Sequence, residues 1–153
     1  MLIANLQQRP EFFATVADRI WAAWWQRHGV PRDHIAARLQ ENMTTSTLPL
    51  ALVAHDGATF LGTASVIASD LDDRPHYTPW VAAVWVEPDC RGTGVGTALV
   101  AAAAAAAFGL GAAQVYLAAR PALRAWYQGQ GWEVVEESVG ALGLTVLRRA
   151  WAG

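Results

Sequence analysis

Hydrophobic residues recur along the chain with two different periods, which predicts both helices and strands. Three- and four-residue spacing, as in Phe13, Val16 and Ile20, predicts helices over residues 10–28 and 32–43. Two further helices are predicted over residues 94–108 and 121–128, each ended by glycines. Short apolar runs bounded by turn residues predict strands over residues 2–6, 50–55, 59–69, 80–86, 113–118, 132–137 and 142–149. The order β-α-α-β-β-β-α-β-α-β-β contains one long β-α-β crossover. We therefore expect an α/β (α+β) fold with a mixed, mostly antiparallel sheet of about six to seven strands, about four helices and one parallel pair.

Composition and charge are those of one compact domain. The chain has 153 residues, of which 54% are hydrophobic and 16% charged, and a chain of this length can bury a sufficient core unaided. We expect a single domain over residues 1–153. The net charge of −2 gives no basic field for nucleic acid. All eleven basic residues are arginine, which excludes chemistry that requires a P-loop lysine or a Schiff-base lysine.

Metal-binding and targeting patterns are missing from the sequence. Cys90 is the single cysteine and the four histidines are scattered, so neither a disulfide nor a structural zinc site is predicted. The first residues lack the charged and apolar regions of a signal peptide, and the most apolar segment, 98–110, is too short to span a bilayer. We expect a cytoplasmic protein with no metal and no membrane partner.

The most informative segment joins the predicted strand 80–86 to the helix that follows it. The strand ends at Glu87-Pro88, and the glycine-rich sequence RGTGVG, residues 91–96, opens the helix. A helix N-terminus offers unpaired N–H groups and a positive dipole end, and glycines let a phosphate approach the backbone closely. Arg91 adds a positive charge at the rim, and the Thr97 hydroxyl can donate a hydrogen bond. The segment therefore predicts a diphosphate-binding loop.

Two common diphosphate loops do not fit this segment. A dinucleotide fingerprint requires G-x-G-x-x-G, and counting from Gly92 places Thr97 where the third glycine belongs. A Walker loop requires a lysine, which this chain does not contain.

The loop resembles that of the GNAT N-acetyltransferases. Residues 91–96 have the family spacing Arg/Gln-x-x-Gly-x-Gly/Ala, and residues 84–88, VWVEP, match its V-x-V-x-P strand end. A second block, ALRAWYQGQGW over residues 122–132, is similar to the family's A-x-x-L-Y-x-x-x-G-F. The resemblance extends from about Leu50 to Glu137, and the first 45 residues share only two amphipathic helices with the family.

The resemblance implies where acetyl-CoA, a co-substrate, binds. The strand 80–86 would splay from its parallel neighbour, and the pantetheine arm would pair with free backbone groups near Val84 and Val86. The pyrophosphate would lie on the amides of Arg91 to Thr97. The cofactor-binding residues that follow are Val84, Trp85, Val86, Arg91, Gly92, Thr93, Gly94, Val95, Gly96, Thr97 and Arg120. Arg120 stands where the family often has an asparagine that contacts coenzyme A.

Catalytic roles are also implied by the resemblance. A backbone N–H near Val84 to Val86 would polarise the thioester carbonyl, and Tyr127 aligns with the tyrosine that often protonates the departing thiolate. The strand 80–86 contains no carboxylate to act as base. Asp70 and His76, in the polar loop before that strand, are the nearest candidates, with Asp70 needing burial or a bridging water and His76 ranked just above it. Unassisted proton loss to water is a further option that ranks above both.

Two functions remain open from the sequence. The first is an N-acetyltransferase that moves an acetyl group to a primary amine of a small molecule or peptide by direct attack. The second is a catalytically silent acyl-CoA-binding domain of the same fold. The family leaves the acceptor undefined and includes many homodimers. Three tryptophans, Trp21, Trp24 and Trp25, either line an acceptor pocket or belong to the core, and their helical spacing favours the core.

Overall fold

The computed structural model describes every residue from Met1 to Gly153 and contains a seven-stranded mixed sheet. The strands are β1 Leu2–Asn5, β2 Leu50–Asp56, β3 Thr59–Ile67, β4 Trp80–Val86, β5 Gln114–Ala119, β6 Glu133–Val139 and β7 Leu144–Ala150. The α-helices are α1 Phe13–Ile20, α2 Arg32–Leu39, α3 Val95–Gly109 and α4 Arg124–Gln128. The strand order is β1-β2-β3-β4-β5-β7-β6. The predicted α/β fold and the predicted order of elements are confirmed.

The sheet is antiparallel except at one pair of strands. β5 pairs with β7 along its whole length, from Gln114 opposite Ala150 to Ala119 opposite Thr145. β4 and β5 run parallel, because α3 connects them as a crossover, and they pair only through Trp80 and Tyr116. The predicted parallel pair is therefore present and is splayed.

The chain divides into two compact units, each with its own hydrophobic cluster. The first comprises residues 1–65 and 83–103, and the second residues 66–82 and 104–153. In the first unit the cluster joins the N-terminal helices to β2, and its buried members are Leu6, Phe12, Val16, Ala17, Leu39, Ala51 and Val53. In the second unit the cluster is Trp80, Tyr116, Val139 and Val146, with Tyr77 stacked on Tyr116 at a centroid distance of 4.5 Å.

The first predicted helix is not a single α-helix. It begins as a 3-10 turn, Pro10–Phe12, continues as α1, and then widens to a π-helix over Trp21–Trp25 before a last 3-10 turn. Gly29, at φ 74°, ends the run in the left-handed conformation that glycine adopts without strain. A π-helical turn adds a residue to the repeat and rotates the side chains that follow it. No helix in the structure combines the length and apolarity needed to cross a membrane.

Gly62, in β3, allows α3 to approach the sheet closely. A Cβ at this position would lie 2.7 Å from the carbonyl oxygen of Trp85 and 2.9 Å from Cδ1 of Leu99. Leu99 is fully buried on α3. The alanine-rich helix is therefore packed tightly against β3 and β4 in the first unit, as its small side chains predict.

Candidate functional site

The loop between β4 and α3 has the geometry of an anion site. β4 ends at Val86, a 3-10 turn covers Pro88–Cys90, and α3 begins at Val95. Gly92 and Gly94 have φ values of 77° and 92°, a left-handed region that L side chains rarely adopt. A Cβ at either position would meet no atom within 4 Å. The backbone is therefore open to a ligand at the point where the first helical N–H groups lack intrahelical partners.

Arg91 is held over the end of β4 by two contacts. Its Nε donates to the carbonyl oxygen of Val86 at 3.0 Å, and its guanidinium carbon lies 4.7 Å from the ring centroid of Trp85. The Thr93 hydroxyl donates to the carbonyl of Cys90 and closes the turn. The Val86 carbonyl, which the resemblance assigns to the pantetheine arm, already accepts one hydrogen bond from Arg91.

Ala83 gives β4 a backbone feature that the sequence did not reveal. Its φ of 53° makes it one of two non-glycine residues in the left-handed region, in the middle of β4. A non-glycine residue adopts this conformation only where its surroundings impose it, and such residues cluster at functional sites. An alanine among apolar residues is typical of any buried strand, so no signal in the sequence marks this position.

Trp85 presents an unpaired donor in the same strand. Its indole Nε1 is buried and has no hydrogen-bond partner, and the same is true of Trp132 in the second unit. A buried N–H without a partner costs free energy unless another group approaches it. Trp85 is one of the predicted cofactor-binding residues, and its indole N–H retains the capacity to donate one hydrogen bond.

Tyr127 lies on α4 in an aromatic environment. It is 6% exposed, and the rings of Trp126 and Trp132 meet it edge-on at centroid distances of 4.8 and 6.3 Å. Burial raises the pKa of Tyr127 to about 12. The phenol therefore stays protonated throughout the neutral range. Arg120 is exposed before α4, where its carbonyl accepts a hydrogen bond from the Leu123 N–H at 2.9 Å.

The two candidate bases occupy different environments in the loop between β3 and β4. Asp70 lines a cavity of about 310 Å³, together with Asp72 and Asp73 and an apolar wall from the β6–β7 hairpin. Burial raises the pKa of the Asp70 carboxyl above its ordinary value. The residue as a whole is exposed to solvent. His76 is exposed and does not line this cavity.

An ion pair fixes this loop. Arg74 Nε lies 2.6 Å from Oε2 of Glu136 on β6, and no carboxylate of the cavity forms an ion pair of its own. The cavity therefore combines three unneutralised carboxylates with an apolar wall, a surface suited to an organic cation.

The interpretation of the tryptophan cluster as core is wrong. Trp21 and Trp24 are half-buried and Trp25 is 39% exposed, and all three lie in the π-helical segment, which contains no buried residue. Trp21 Nε1 donates to the Val30 carbonyl at 2.6 Å, and the Arg32 guanidinium lies 4.6 Å from a ring of Trp21.

The fold and the loop together define a class of protein: a mixed α/β sheet with one splayed parallel pair and a glycine-rich loop that opens the helix following the first strand of that pair. The chain belongs to the acetyltransferase (GNAT) family, whose family model matches residues 17–132. No curated protein sequence matches the chain.

Solved structures share this fold at low sequence identity. An aminoglycoside 6'-N-acetyltransferase complexed with coenzyme A is 16% identical, with a TM-score of 0.77 over 98% of this chain and 97% of that one. The yncA protein of Salmonella typhimurium with acetyl-CoA is 20% identical, with a TM-score of 0.73 over 98% and 93%. A ribosomal-protein-alanine N-acetyltransferase from Brucella melitensis is 20% identical, with a TM-score of 0.72 over 99% and 100%.

Proposed function

We propose that the chain is a single-domain N-acetyltransferase that moves an acetyl group from acetyl-CoA to a primary amine. The observation that carries the proposal is the loop Arg91–Thr97, where two left-handed glycines leave the start of α3 open to an anion. Family membership supports acetyl transfer, and two of the similar structures contain coenzyme A or acetyl-CoA.

Binding of acetyl-CoA rests on backbone groups more than on side chains. The pyrophosphate accepts hydrogen bonds from the amides of residues 91–97, and Arg91 and Thr97 add polar groups at the rim. The pantetheine arm pairs with backbone groups of Val84 and Val86. Arg120 contributes a positive charge in place of the family's asparagine.

The reaction is a direct acyl transfer. The nitrogen lone pair of the neutral amine forms a bond to the thioester carbon, and a backbone N–H near Val84 to Val86 stabilises the developing oxyanion. The C–S bond then breaks, and Tyr127 is the proposed donor of a hydrogen bond that stabilises the departing thiolate, which afterwards takes up a proton from solvent. The proton lost by the amine passes to a base or to water.

The acceptor is a cationic amine of a small molecule or a peptide. The cavity lined by Asp70, Asp72 and Asp73 supports this part of the proposal, because an alkylammonium is attracted to carboxylates and its hydrocarbon part to the apolar wall. Of the two candidate bases, Asp70 now ranks above His76, since Asp70 lines this cavity and His76 does not. Burial also raises the pKa of the Asp70 carboxyl above its ordinary value.

The test of the function is direct. The purified chain is incubated with acetyl-CoA and a panel of polyamines, aminoglycosides and peptide amines, and the free thiol of released coenzyme A is measured. Thiol release that depends on one amine class supports the enzyme. Tight acetyl-CoA binding without release for any amine would favour the alternative, a silent acyl-CoA-binding domain, and absence of binding would refute both.

Asp70→Asn is expected to remove the acidic limb of the pH profile of kcat/KM. A carboxylate base is inactivated as the pH falls through its pKa, and a raised pKa moves this limb upwards from the ordinary value of about 4. The measurement is kcat/KM against pH for the amine that the panel identifies.

Two controls separate the base from its neighbours. Asp72→Asn removes a charge from the same cavity, and His76→Gln removes the other candidate. Both should keep the acidic limb. Loss of the limb in His76→Gln would assign the base to His76. An unchanged limb in every variant would mean that neither residue is the base, leaving the substrate amine or another group responsible for it.

A further inference from the structure

Glu87, which connects β4 to the loop Arg91–Thr97, is held in place by backbone hydrogen bonds and by an ion pair. Glu87 follows the last residue of β4, and its N–H donates to the carbonyl of Leu61 at 2.9 Å. Its own carbonyl accepts a hydrogen bond from Cys90 at 2.9 Å, which forms the 3-10 turn Pro88–Cys90. Glu87 is therefore the point at which the chain leaves the sheet and turns towards the loop.

The side chain of Glu87 is bound by an arginine from α1. Arg19 Nε lies 2.7 Å from Oε1 of Glu87, and Arg19 Nη1 lies 2.6 Å from Oδ2 of Asp18. Asp18 also pairs with Arg32 of α2 at 3.1 Å. The Arg19 and Glu87 side chains are 35% and 20% exposed, so this contact is less open to water than a surface ion pair.

Little else fixes the turn from outside. The other side-chain hydrogen bonds of the segment lie within residues 86–97, from Arg91 to the Val86 carbonyl and from Thr93 to the Cys90 carbonyl. The turn also borders a cavity of about 430 Å³, which is lined by Arg19, Thr59, Phe60, Glu87, Pro88, Asp89 and Cys90. Packing alone therefore does not hold the turn on this side. Arg19 forms part of the cavity wall and contacts the turn through Glu87.

We propose that Arg19 is a positioning residue for acetyl-CoA: by holding Glu87 it sets the direction in which the turn presents the loop Arg91–Thr97. The inference rests on the proposed function, since it assigns a role in that same site. Donors that face an anion bind it well only when they are fixed before the anion arrives. A loop whose two glycines are free to adopt other conformations needs such an external anchor.

The test compares acetyl-CoA affinity in two arginine variants. Arg19→Met keeps the length of the side chain and loses both ion pairs, and its Kd for acetyl-CoA should rise by about fivefold, the loss expected for a half-buried ion pair. Its kcat at saturating acetyl-CoA should stay near the wild-type value, whereas general destabilisation would lower kcat. Arg148→Met is the matched control. Arg148 lies on β7 in the second unit, its side chain is 37% exposed, and it pairs with Glu133 of β6 at 2.6 Å. Its Kd should not change.

A double variant separates positioning from simple neutralisation of charge. Arg19→Met leaves the Glu87 carboxylate unpaired near a site for a polyanion, and Glu87→Gln removes that charge. If Arg19 acts by positioning, Arg19→Met with Glu87→Gln stays as weak as Arg19→Met. Recovery of wild-type affinity in the double variant, or an unchanged Kd in Arg19→Met, would overturn the inference. Wild-type protein that does not bind acetyl-CoA would instead refute the proposed function, and the inference with it.

Discussion

Gly94→Glu is expected to abolish acetyl-CoA binding. Gly94 has a φ of 92° and open space above it, so the new side chain would occupy the region proposed for the pyrophosphate and bring a negative charge there. The glutamate would also disfavour the left-handed backbone that aims the loop amides. Isothermal titration calorimetry with acetyl-CoA measures the effect.

Gly111→Glu is the matched control for this substitution. Gly111 has a φ of 97° and follows the C-terminal end of α3, and a Cβ added there would meet no atom within 4 Å. The helix α3 lies between the two glycines in the chain. Gly111→Glu carries the same backbone strain and the same charge, and it should bind acetyl-CoA like the wild type. A folded Gly94→Glu protein with unchanged affinity would show that the diphosphate lies elsewhere.

Tyr127→Phe is expected to lower kcat on the order of a hundredfold while the Kd for acetyl-CoA changes little. Burial raises the pKa of Tyr127 to about 12. The phenol is thus fully protonated at neutral pH, and it is a weaker acid than a thiol of pKa near 8.5. It should therefore act mainly by donating a hydrogen bond to the sulfur as negative charge develops on it. A hundredfold loss corresponds to about 2.7 kcal/mol of transition-state stabilisation.

Tyr116→Phe controls for loss of a buried phenol. Tyr116 lies on β5 in the same unit and is 4% exposed, but it has no proposed catalytic role. Its substitution should leave kcat close to the wild-type value. Turnover that survives in Tyr127→Phe would mean that the thiolate leaves unaided or that another group protonates it.

The hydrophobic pattern determined the fold class and most of the elements. The strand predicted over residues 80–86 has those bounds in the structure, because a run of apolar residues ended by Glu87-Pro88 has few alternatives. The glycine spacing that predicted an anion site is matched by left-handed φ values at Gly92 and Gly94. These features are local: they depend on side-chain size and on backbone preferences within a few residues of one another.

The tertiary structure decided the features that depend on distant contacts. Two such features are the left-handed backbone of Ala83 in β4 and the π-helical turn in which Trp25 is exposed. Both depend on how whole elements pack, and no single residue type predicts them. The ion pair between Arg19 and Glu87 joins residues that are far apart in the sequence. From the sequence alone, many other pairings of an arginine with a glutamate were equally possible. Asp70 gains a raised pKa from a cavity that two separate loops build, while His76 in the same loop stays exposed. The sequence by itself therefore determined the fold and the glycine-rich loop, and only folding decided which side chains surround them, because burial and charge pairing are properties of the assembled chain.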